Sequence, residues 1–407
     1  MSEVQIKKLA NGLTMIAEPM ADVSSGSFSI RLPAGTAREN IGLNGLSSIM
    51  TDLVFRGTEE MDSRTLSAKL DSLGLHYNSG SSNLYSSFSG ALVADKLGEA
   101  LKLHADVFMR ARLEEEQFEL CRESALQHLD SLEDDPRQKI SMLAFENFMM
   151  VPYGKPSVGK EKEIQAISHE DALNFYKRFY NPNGAIIAVA GAIEAEATFA
   201  MIEENFGSWQ GEKLDVLPKA KYQCLNSHQH KDGAQIHIAM IYPSVNIHHE
   251  DYYKAKAAVA ILSGGMGSRL FTEVREKRGL CYSVGASHTM IADQGLIMGY
   301  VGSSPDKAQE ALDVMKNEFV NLANGISEDE LDRAKIGLRA SLIMQGESSG
   351  ARAGGCAGDY ALLGRVRSLE EIEKAILDLS VDDVVGFAKA NQPEEFTITT
   401  IGAKELI

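Results

Sequence analysis

The sequence lacks both a long hydrophobic run and a hydrophobic signal core. None of its apolar stretches approaches the roughly 18 residues of a membrane-spanning helix, and residues 1–8 are largely polar. We therefore expect a soluble protein without a membrane partner. The expected compartment is the cytoplasm, or the periplasm if a leader has been removed.

Cysteine and positive charge are also scarce. The four cysteines, Cys121, Cys224, Cys281 and Cys356, form no Cys-x-x-Cys pair, so the spacing indicates neither a disulfide framework nor a thiolate metal site. The 57 acidic residues outnumber the 40 basic ones and give a formal charge of −17. Because an acidic surface repels nucleic acid and anionic membranes, neither is an expected partner, whereas basic peptides are compatible.

The 407 residues are enough for two or three domains, and the second half of the chain weakly repeats the first. Similar segments recur in the same order at a nearly constant offset of about 210 residues. The matching segments are 167–172 with 379–384, 186–192 with 396–403, and 116–118 with 329–331. This pattern predicts a duplicated domain.

Each half alternates strand-like segments with helical ones. Residues 27–32 and 235–241 alternate in polarity and are rich in β-branched side chains, which predicts strands. The predicted helices lie near 43–54, 63–73, 95–110, 115–133, 168–179 and 250–262. We predict an α+β fold of two homologous domains, each a mainly antiparallel sheet packed with helices. The predicted division is 1–212, a polar linker at 213–227, and 228–407.

Residues 45–58 predict an amphipathic helix with the frame of a metal site. Its apolar residues recur at the three-and-four spacing of one helical face: Leu46, Ile49, Met50 and Leu53. In a His-x-x-Glu-His zinc peptidase, two imidazoles one turn apart bind the metal and the Glu is the general base. The corresponding places in this sequence hold Ser48, Thr51 and Asp52.

The residues that flank this frame are Gly-Leu at 45–46 and Phe-Arg-Gly-Thr at 55–58. They resemble the insulinase, pitrilysin and mitochondrial processing peptidase family, and the resemblance extends over nearly the whole chain. It implies the duplicated fold of that family. It also implies a third zinc ligand, a Glu, on a later helix before an acidic stretch, and the matching position is His128.

The four motif positions hold few suitable zinc ligands. A catalytic zinc site keeps three protein ligands, drawn from Cys, His and carboxylates. Ser48 is a poor neutral ligand and Thr51 cannot act as a carboxylate base, which leaves only Asp52 and His128. We predict that this chain binds no zinc and that the helix is a buried element whose polar face lines a cleft.

A second motif, at residues 262–283, is rich in glycine. Gly264, Gly265 and Gly267 permit positive φ and close backbone approach, so the segment can expose amides to a peptide or turn tightly between helices. No phosphate-loop lysine is in register and the motif follows a helix, which argues against nucleotide binding. We count the three glycines among the candidate substrate-binding residues.

In the family that this chain resembles, the same stretch carries an Arg and a Tyr seven residues apart that reach the substrate. Arg275 and Tyr282 match that pair in type and spacing. A guanidinium and a phenol both donate to a peptide carbonyl and can stabilise a developing oxyanion. The alternative is that Arg275 pairs with a neighbouring carboxylate and Tyr282 packs at a domain seam. We favour the substrate-facing interpretation because the match extends over 264–283.

The resemblance thus implies a non-catalytic, substrate-binding subunit of a two-chain zinc metalloendopeptidase that acts on peptides or unfolded polypeptides. A homologous partner would supply His-x-x-Glu-His and the zinc, and this chain would bind no cofactor. One alternative is a structural protein like the core subunits of the respiratory bc1 complex. Another is a peptidase that is active alone through an altered site or as a homodimer.

Overall fold

The structure, a computed structural model, describes residues 3–406. Its two large sheets lie in two compact units, each with its own hydrophobic core. The first unit contains the chain up to Ser131 together with Lys155–Pro218 and Gln345–Arg367. The second contains Leu132–Gly154, Lys219–Met344 and the chain from Ser368 onward.

Strands and helices alternate along both units. In chain order the strands are β1 (Gln5–Lys8), β2 (Thr14–Pro19), β3 (Ser25–Leu32), β4 (Gly57–Thr58), β5 (Met61–Asp62), β6 (His76–Ser81), β7 (Ser86–Val93), β8 (Ile186–Gly191), β9 (Ser227–His230), β10 (Ile236–Ser244), β11 (Cys281–Ile291), β12 (Gln294–Ser303) and β13 (Thr397–Gly402). The α-helices are α1 (Leu46–Leu53), α2 (Ser63–Ser72), α3 (Leu97–Met109), α4 (Glu115–Ser131), α5 (Pro136–Phe148), α6 (Glu161–Ala166), α7 (His169–Phe179), α8 (Ala195–Phe206), α9 (Tyr252–Ser263), α10 (Ala308–Asn321), α11 (Glu328–Gly346), α12 (Ser349–Leu363), α13 (Leu369–Leu377) and α14 (Val381–Ala390). A π-helical turn spans Phe271–Glu276.

The sheet of the first unit has the strand order β1-β2-β8-β3-β7-β6. β2 and β8 run parallel, and the other neighbours pair antiparallel. Both faces of β2 are covered: Met15 and Ala17 point into the main core, while Ile16 packs against Cys356 and Ala357 of α12. Burial on both faces explains why three consecutive residues of this strand, 15–17, are apolar.

The sheet of the second unit has the order β11-β12-β10-β13-β9. Taken from β9, this order and its strand directions repeat β2-β8-β3-β7-β6 of the first unit, including the parallel pair, here β9 with β13. The predicted duplication and the α+β class are therefore confirmed. β1 is the one strand of the first large sheet without a counterpart, as far as residues 3–406 show.

Each unit contains one helix from the opposite half of the chain. α12 packs on β3 and β8 of the first unit, and α5 packs on β10 and β13 of the second. The two helices occupy equivalent places, since each covers the sheet face opposite the main core. The division at 213–227 stays a prediction for the boundary between the repeats. Packing, however, assigns residues 132–154 of the first half to the second unit and residues 345–367 of the second half to the first unit. The order of segments along the sequence does not predict this exchange of α5 and α12 between the units.

Two capping boxes mark equivalent helices in the repeats. Ser168 Oγ accepts from the Asp171 N–H at the start of α7 while Asp171 accepts from the Ser168 N–H. Ser380 and Asp383 make the same reciprocal bonds at the start of α14. The helices predicted at 168–179 and 250–262 are confirmed to within two residues as α7 and α9. Within residues 3–406, no helix combines the length and apolar character needed to cross a bilayer.

Candidate functional site

The helix predicted at the zinc-motif positions is α1. Gly45 precedes it with φ 110°, a left-handed conformation that favours glycine. The apolar stripe is buried in the core of the first unit, as the spacing predicts. On the other side, Ser48 is half-buried and the Thr51 hydroxyl donates a 2.7 Å hydrogen bond to the Ser48 carbonyl one turn back. The Thr51 hydroxyl is therefore committed to its own helix.

Asp52, at the position of the second histidine, already has a cation as its partner. Arg56 Nη2 donates a 2.7 Å hydrogen bond to Asp52 Oδ2, and this bond raises the pKa of Arg56. Cys121 of α4 lies beside the pair. Burial raises the pKa of its thiol to about 12, and the nearby Asp52 carboxylate adds to the shift. The thiol is thus held in its neutral form, which is a poor metal ligand.

His128, at the position of the downstream Glu, lies exposed in the last turn of α4. α4 packs against α1, so the structure places the two motif helices side by side. Among residues 3–406, however, no three His, Cys, Asp or Glu side chains are grouped as a metal site requires. The residues at the motif positions therefore do not fit a zinc ion, because Asp52 is neutralised by Arg56 and the other ligands are missing.

A buried carboxylate fixes the start of α1, and sequence reasoning missed it. Glu39 is 5% exposed, and its Oε1 accepts from the Ser47 N–H at 2.8 Å and the Ser47 hydroxyl at 2.7 Å. Its Oε2 accepts from Asn44 Nδ2 at 2.9 Å. Burial raises the pKa of Glu39, and these hydrogen bonds oppose that shift. An acid at a helix N-terminus satisfies its free N–H groups, but Glu39 lies too far upstream to match a capping pattern.

The glycine-rich motif begins where α9 ends. Gly264 closes α9, and a Cβ there would lie 2.4 Å from the Ala260 carbonyl oxygen. Gly265 has φ +144°, which only glycine adopts easily. A Cβ at Gly267 would lie 3.4 Å from Nε of Arg333 in α11, and both residues line a small cavity of about 50 Å³. That volume is near the size of one or two water molecules. The assignment of the three glycines to substrate binding stays a prediction.

Arg275 lies in the π-helical turn that follows the glycines. Its guanidinium carbon is 4.9 Å from the ring centroid of Phe271 and 5.1 Å from that of Tyr282. Within residues 3–406 it makes no ion pair, although its neighbours Lys277 and Arg278 both pair with Glu273. The alternative in which Arg275 pairs with a nearby carboxylate is therefore not observed. Two aromatic rings hold the cation and leave its N–H groups available.

Tyr282 is aimed outward by a β-bulge. In the pairing of β11 with β12, Cys281 lies opposite Ser303 and Ser283 lies opposite Gly302, so Tyr282 is the extra residue. Bulges re-aim side chains, often next to functional sites. Tyr282 is 76% exposed, which is unusual for an aromatic residue in a sheet. The structure thus brings the predicted Arg and Tyr together in the second unit, with Arg275 half-buried and Tyr282 exposed.

Comparison with known proteins agrees with the motifs. The family described as Insulinase (Peptidase family M16) matches residues 15–157, and the one described as Peptidase M16 inactive domain matches residues 166–338. The chain belongs to the M16 insulinase family of peptidases. The resemblance inferred from the motifs is confirmed at this level.

Full-length relatives and solved structures show the same architecture. A protein of Rickettsia felis named "Uncharacterized zinc protease" is 28% identical over 406 residues, 98% of each chain. One of Bacillus subtilis is 24% identical over 394 residues, 96% of each. A peptidase M16 inactive domain from Pseudomonas fluorescens aligns with TM-score 0.89 and 20% identity over 100% of this chain and 99% of that one. A chain of complex III2 from Candida albicans gives 0.86 at 20% identity, over 98% and 96%. These two structural similarities define the fold.

Proposed function

We propose that this chain is the non-catalytic, substrate-binding subunit of a two-chain zinc metalloendopeptidase. The observation that carries the proposal is the contrast between two motifs in one chain. At α1 the Asp52 carboxylate is paired with Arg56. In contrast, the half-buried Arg275 lies beside the exposed Tyr282, and within residues 3–406 neither side chain has an ion-pair or hydrogen-bond partner.

The chemistry of the pair suits peptide binding. The Arg275 guanidinium and the Tyr282 hydroxyl both donate hydrogen bonds, and both can point at one peptide carbonyl. When the carbonyl carbon is attacked, negative charge develops on its oxygen, and donors already in place stabilise that charge. The segment therefore supplies positioning and oxyanion stabilisation, but no general base.

The metal and the base would come from a homologous partner chain that carries His-x-x-Glu-His. The two histidines of that partner motif would hold the zinc ion, which would supply Lewis-acid chemistry at the peptide carbonyl and at a bound water. The name "zinc protease" carried by the full-length relatives supports a peptidase setting. The formal charge of −17 favours neutral or basic peptides as substrates.

The proposal is tested by isolating the chain from its source cells under native conditions and identifying co-purifying chains by mass spectrometry. We expect a stoichiometric companion of similar size that contains His-x-x-Glu-His. We also expect the pair to cleave unfolded polypeptides while each chain alone does not. Recovery of this chain only with copies of itself, together with an inactive preparation, would contradict the proposal.

A scaffold role without proteolysis is the second candidate, supported by the structural likeness to a chain of complex III2. A scaffold subunit would co-purify with a larger assembly, and substitution of Arg275 or Tyr282 would leave the activity of that assembly unchanged. The same isolation therefore separates the two candidates.

A further inference from the structure

The second unit contains a cavity of about 600 Å³ that no part of the proposed function uses. It lies at one end of the sheet, where β10 finishes, β12 begins and the segment 391–395 leads into β13. Ligand sites typically have volumes of roughly 300–1,000 Å³. The cavity is therefore large enough for a small organic molecule or a long side chain.

Tyr242 presents an unused hydroxyl to this cavity. The side chain is 95% buried, since the residue is 5% exposed, and its ring packs edge-on against Phe319 and Phe396 at 5.8 and 5.5 Å. Burial raises the pKa of Tyr242, so the phenol stays neutral. Within residues 3–406 its hydroxyl has no hydrogen-bond partner, and Tyr242 lines the cavity. The hydroxyl is therefore available to hydrogen-bond with a ligand in the cavity.

Ser244, two residues further along β10, also has a hydroxyl without a hydrogen-bond partner among the described residues. Its Oγ is shielded from solvent, and the residue lines the cavity. Because residues i and i+2 of a strand share one face, the two hydroxyls point to the same side of β10. Together they form a polar wall that can accept hydrogen bonds from one ligand.

The charged groups around the cavity are acidic. Asp293, Glu394 and Glu395 line it, and no Lys or Arg does so among residues 3–406. Asp293 Oδ1 accepts from the Ala220 N–H at 3.1 Å, and its other carboxylate oxygen accepts nothing from the described residues. His249 also lines the cavity, with its Nδ1 accepting from the Asp251 N–H. The electrostatic field of this lining favours a cation.

An aromatic face completes the lining. Tyr222 is 47% exposed and stacks its inner face on Phe148 with centroids 5.4 Å apart and planes at 4°. Its outer face is left for a ligand. Cations bind over the faces of tyrosine rings, so Tyr222 adds a second kind of cation contact to the carboxylates.

We propose that this cavity binds an organic cation, an alkylammonium or guanidinium group of about the size of a lysine or arginine side chain. The carboxylates and the Tyr222 ring attract the charge, and Tyr242 and Ser244 accept hydrogen bonds from its N–H groups. The source is either a basic residue of a peptide or a free polyamine, because both present the same chemistry. The proposal does not rest on Arg275 and Tyr282.

The test is isothermal titration of the intact purified chain with N-acetyl-argininamide, with its uncharged analogue N-acetyl-citrullinamide, and with spermidine. We expect saturable binding of one or both cations and no binding of the citrulline compound. Binding of the arginine compound alone identifies a peptide source, and binding of spermidine alone identifies a polyamine. If neither cation binds, or if the citrulline compound binds equally well, the proposal is wrong.

Variants assign the binding to the cavity. Tyr242→Phe keeps the packed ring and should weaken binding about tenfold, the effect of one hydrogen bond to a charged group. Glu394→Gln/Glu395→Gln should weaken it at least as much. The matched control Glu203→Gln/Glu204→Gln removes the same charge from an exposed part of α8 and should change nothing. The proposal is wrong if Tyr242→Phe binds the cation as tightly as the unmodified chain does. It is also wrong if the two double variants lose the same affinity, because the cation would then be attracted by the net charge of the protein and not by the cavity.

Discussion

Arg56 Nη2 lies 2.7 Å from Asp52 Oδ2, which places a cation against the carboxylate that stands at the second histidine of the zinc motif. A metal ion at α1 would have to displace this partner and bind beside a guanidinium. The chain therefore has the two packed helices of the zinc motif, α1 and α4, but a guanidinium cation occupies the place beside Asp52 where the motif would hold a metal ion.

We expect the purified chain to retain far less than one zinc ion after equilibrium dialysis against zinc and then buffer, measured by elemental analysis. A matched positive control replaces the four positions with the family's ligands and base: Ser48→His, Thr51→Glu, Asp52→His and His128→Glu. This variant should retain about one zinc ion per chain if α1 and α4 keep the family's geometry. A stoichiometric zinc ion in the unmodified chain that is lost in Asp52→Asn would contradict the account.

The buried ion pair between β2 and α12 should be important for the stability of the first unit. Arg352 Nε donates to both oxygens of Glu18 at 3.0 and 2.9 Å, and the residues are 7% and 6% exposed. Arg352→Met removes the cation from the buried Glu18 carboxylate and leaves the weak donor Cys356 Sγ–H, 3.1 Å from Glu18 Oε2, so it should lower the free energy of unfolding by about 3–5 kcal/mol. Denaturant titration followed by the fluorescence of Trp209, the single tryptophan and a core residue of this unit, measures the change.

The control for that measurement is Arg178→Met, which breaks an exposed pair with Asp215 in the same unit. Exposed pairs contribute about 0–1 kcal/mol, so the two losses should differ severalfold. A loss at Arg352 no larger than that at Arg178 would show that the exchanged helix is not held by this pair.

His104 should make the first unit less stable in mild acid. It is buried against Phe28 and Phe55, and its Nδ1–H donates to the Ala100 carbonyl at 2.8 Å. Burial lowers the pKa of His104 from 6.5 to about 4. Between pH 4 and pH 6.5, His104 therefore binds a proton in the unfolded chain but not in the folded chain. Stability is therefore fully present above pH 6.5 and falls by about 3 kcal/mol as pH drops toward 4.

Unfolding followed by Trp209 fluorescence at several pH values checks this expectation. His104→Leu removes the titrating group, so the stability of this variant should fall less steeply over the same pH window, whatever its absolute stability. Parallel pH curves for the variant and the unmodified chain would refute the assignment.

The sequence predicts the local features of this fold well because they depend on neighbours along the chain. The stripe from Leu46 to Leu53 predicts α1, and the Ser168 and Ser380 capping boxes mark equivalent helices. The sequence also allows the Asp52–Arg56 pair to be predicted, since residues four apart on a helix are neighbours.

Features that depend on distant residues could not be predicted in this way. Glu18 and Arg352 are 334 positions apart, so neither α12 nor its partner strand identifies the other. The π-helical turn around Arg275 includes a hydrogen bond with five-residue spacing, from the Lys277 N–H to the Thr272 carbonyl at 2.9 Å, and the residue types do not predict this spacing. The bulge that exposes Tyr282 needs the register against β12. Residue type and spacing identify Arg275 and Tyr282 in the sequence, but the contact between them depends on the backbone of the π-helical turn and of the bulge.

Peptide turnover by the reconstituted pair tests the central claim most directly. The chain is mixed with its partner bearing His-x-x-Glu-His, and cleavage of an unfolded polypeptide is followed for Arg275→Ala, Tyr282→Phe and the control Arg339→Ala, which breaks an exposed ion pair with Glu373 in the same unit. Removal of an oxyanion donor lowers kcat by about 10²–10³-fold. We expect losses of that order for Arg275→Ala and Tyr282→Phe and none for Arg339→Ala. Unchanged turnover in both variants would contradict a substrate-binding role for this pair.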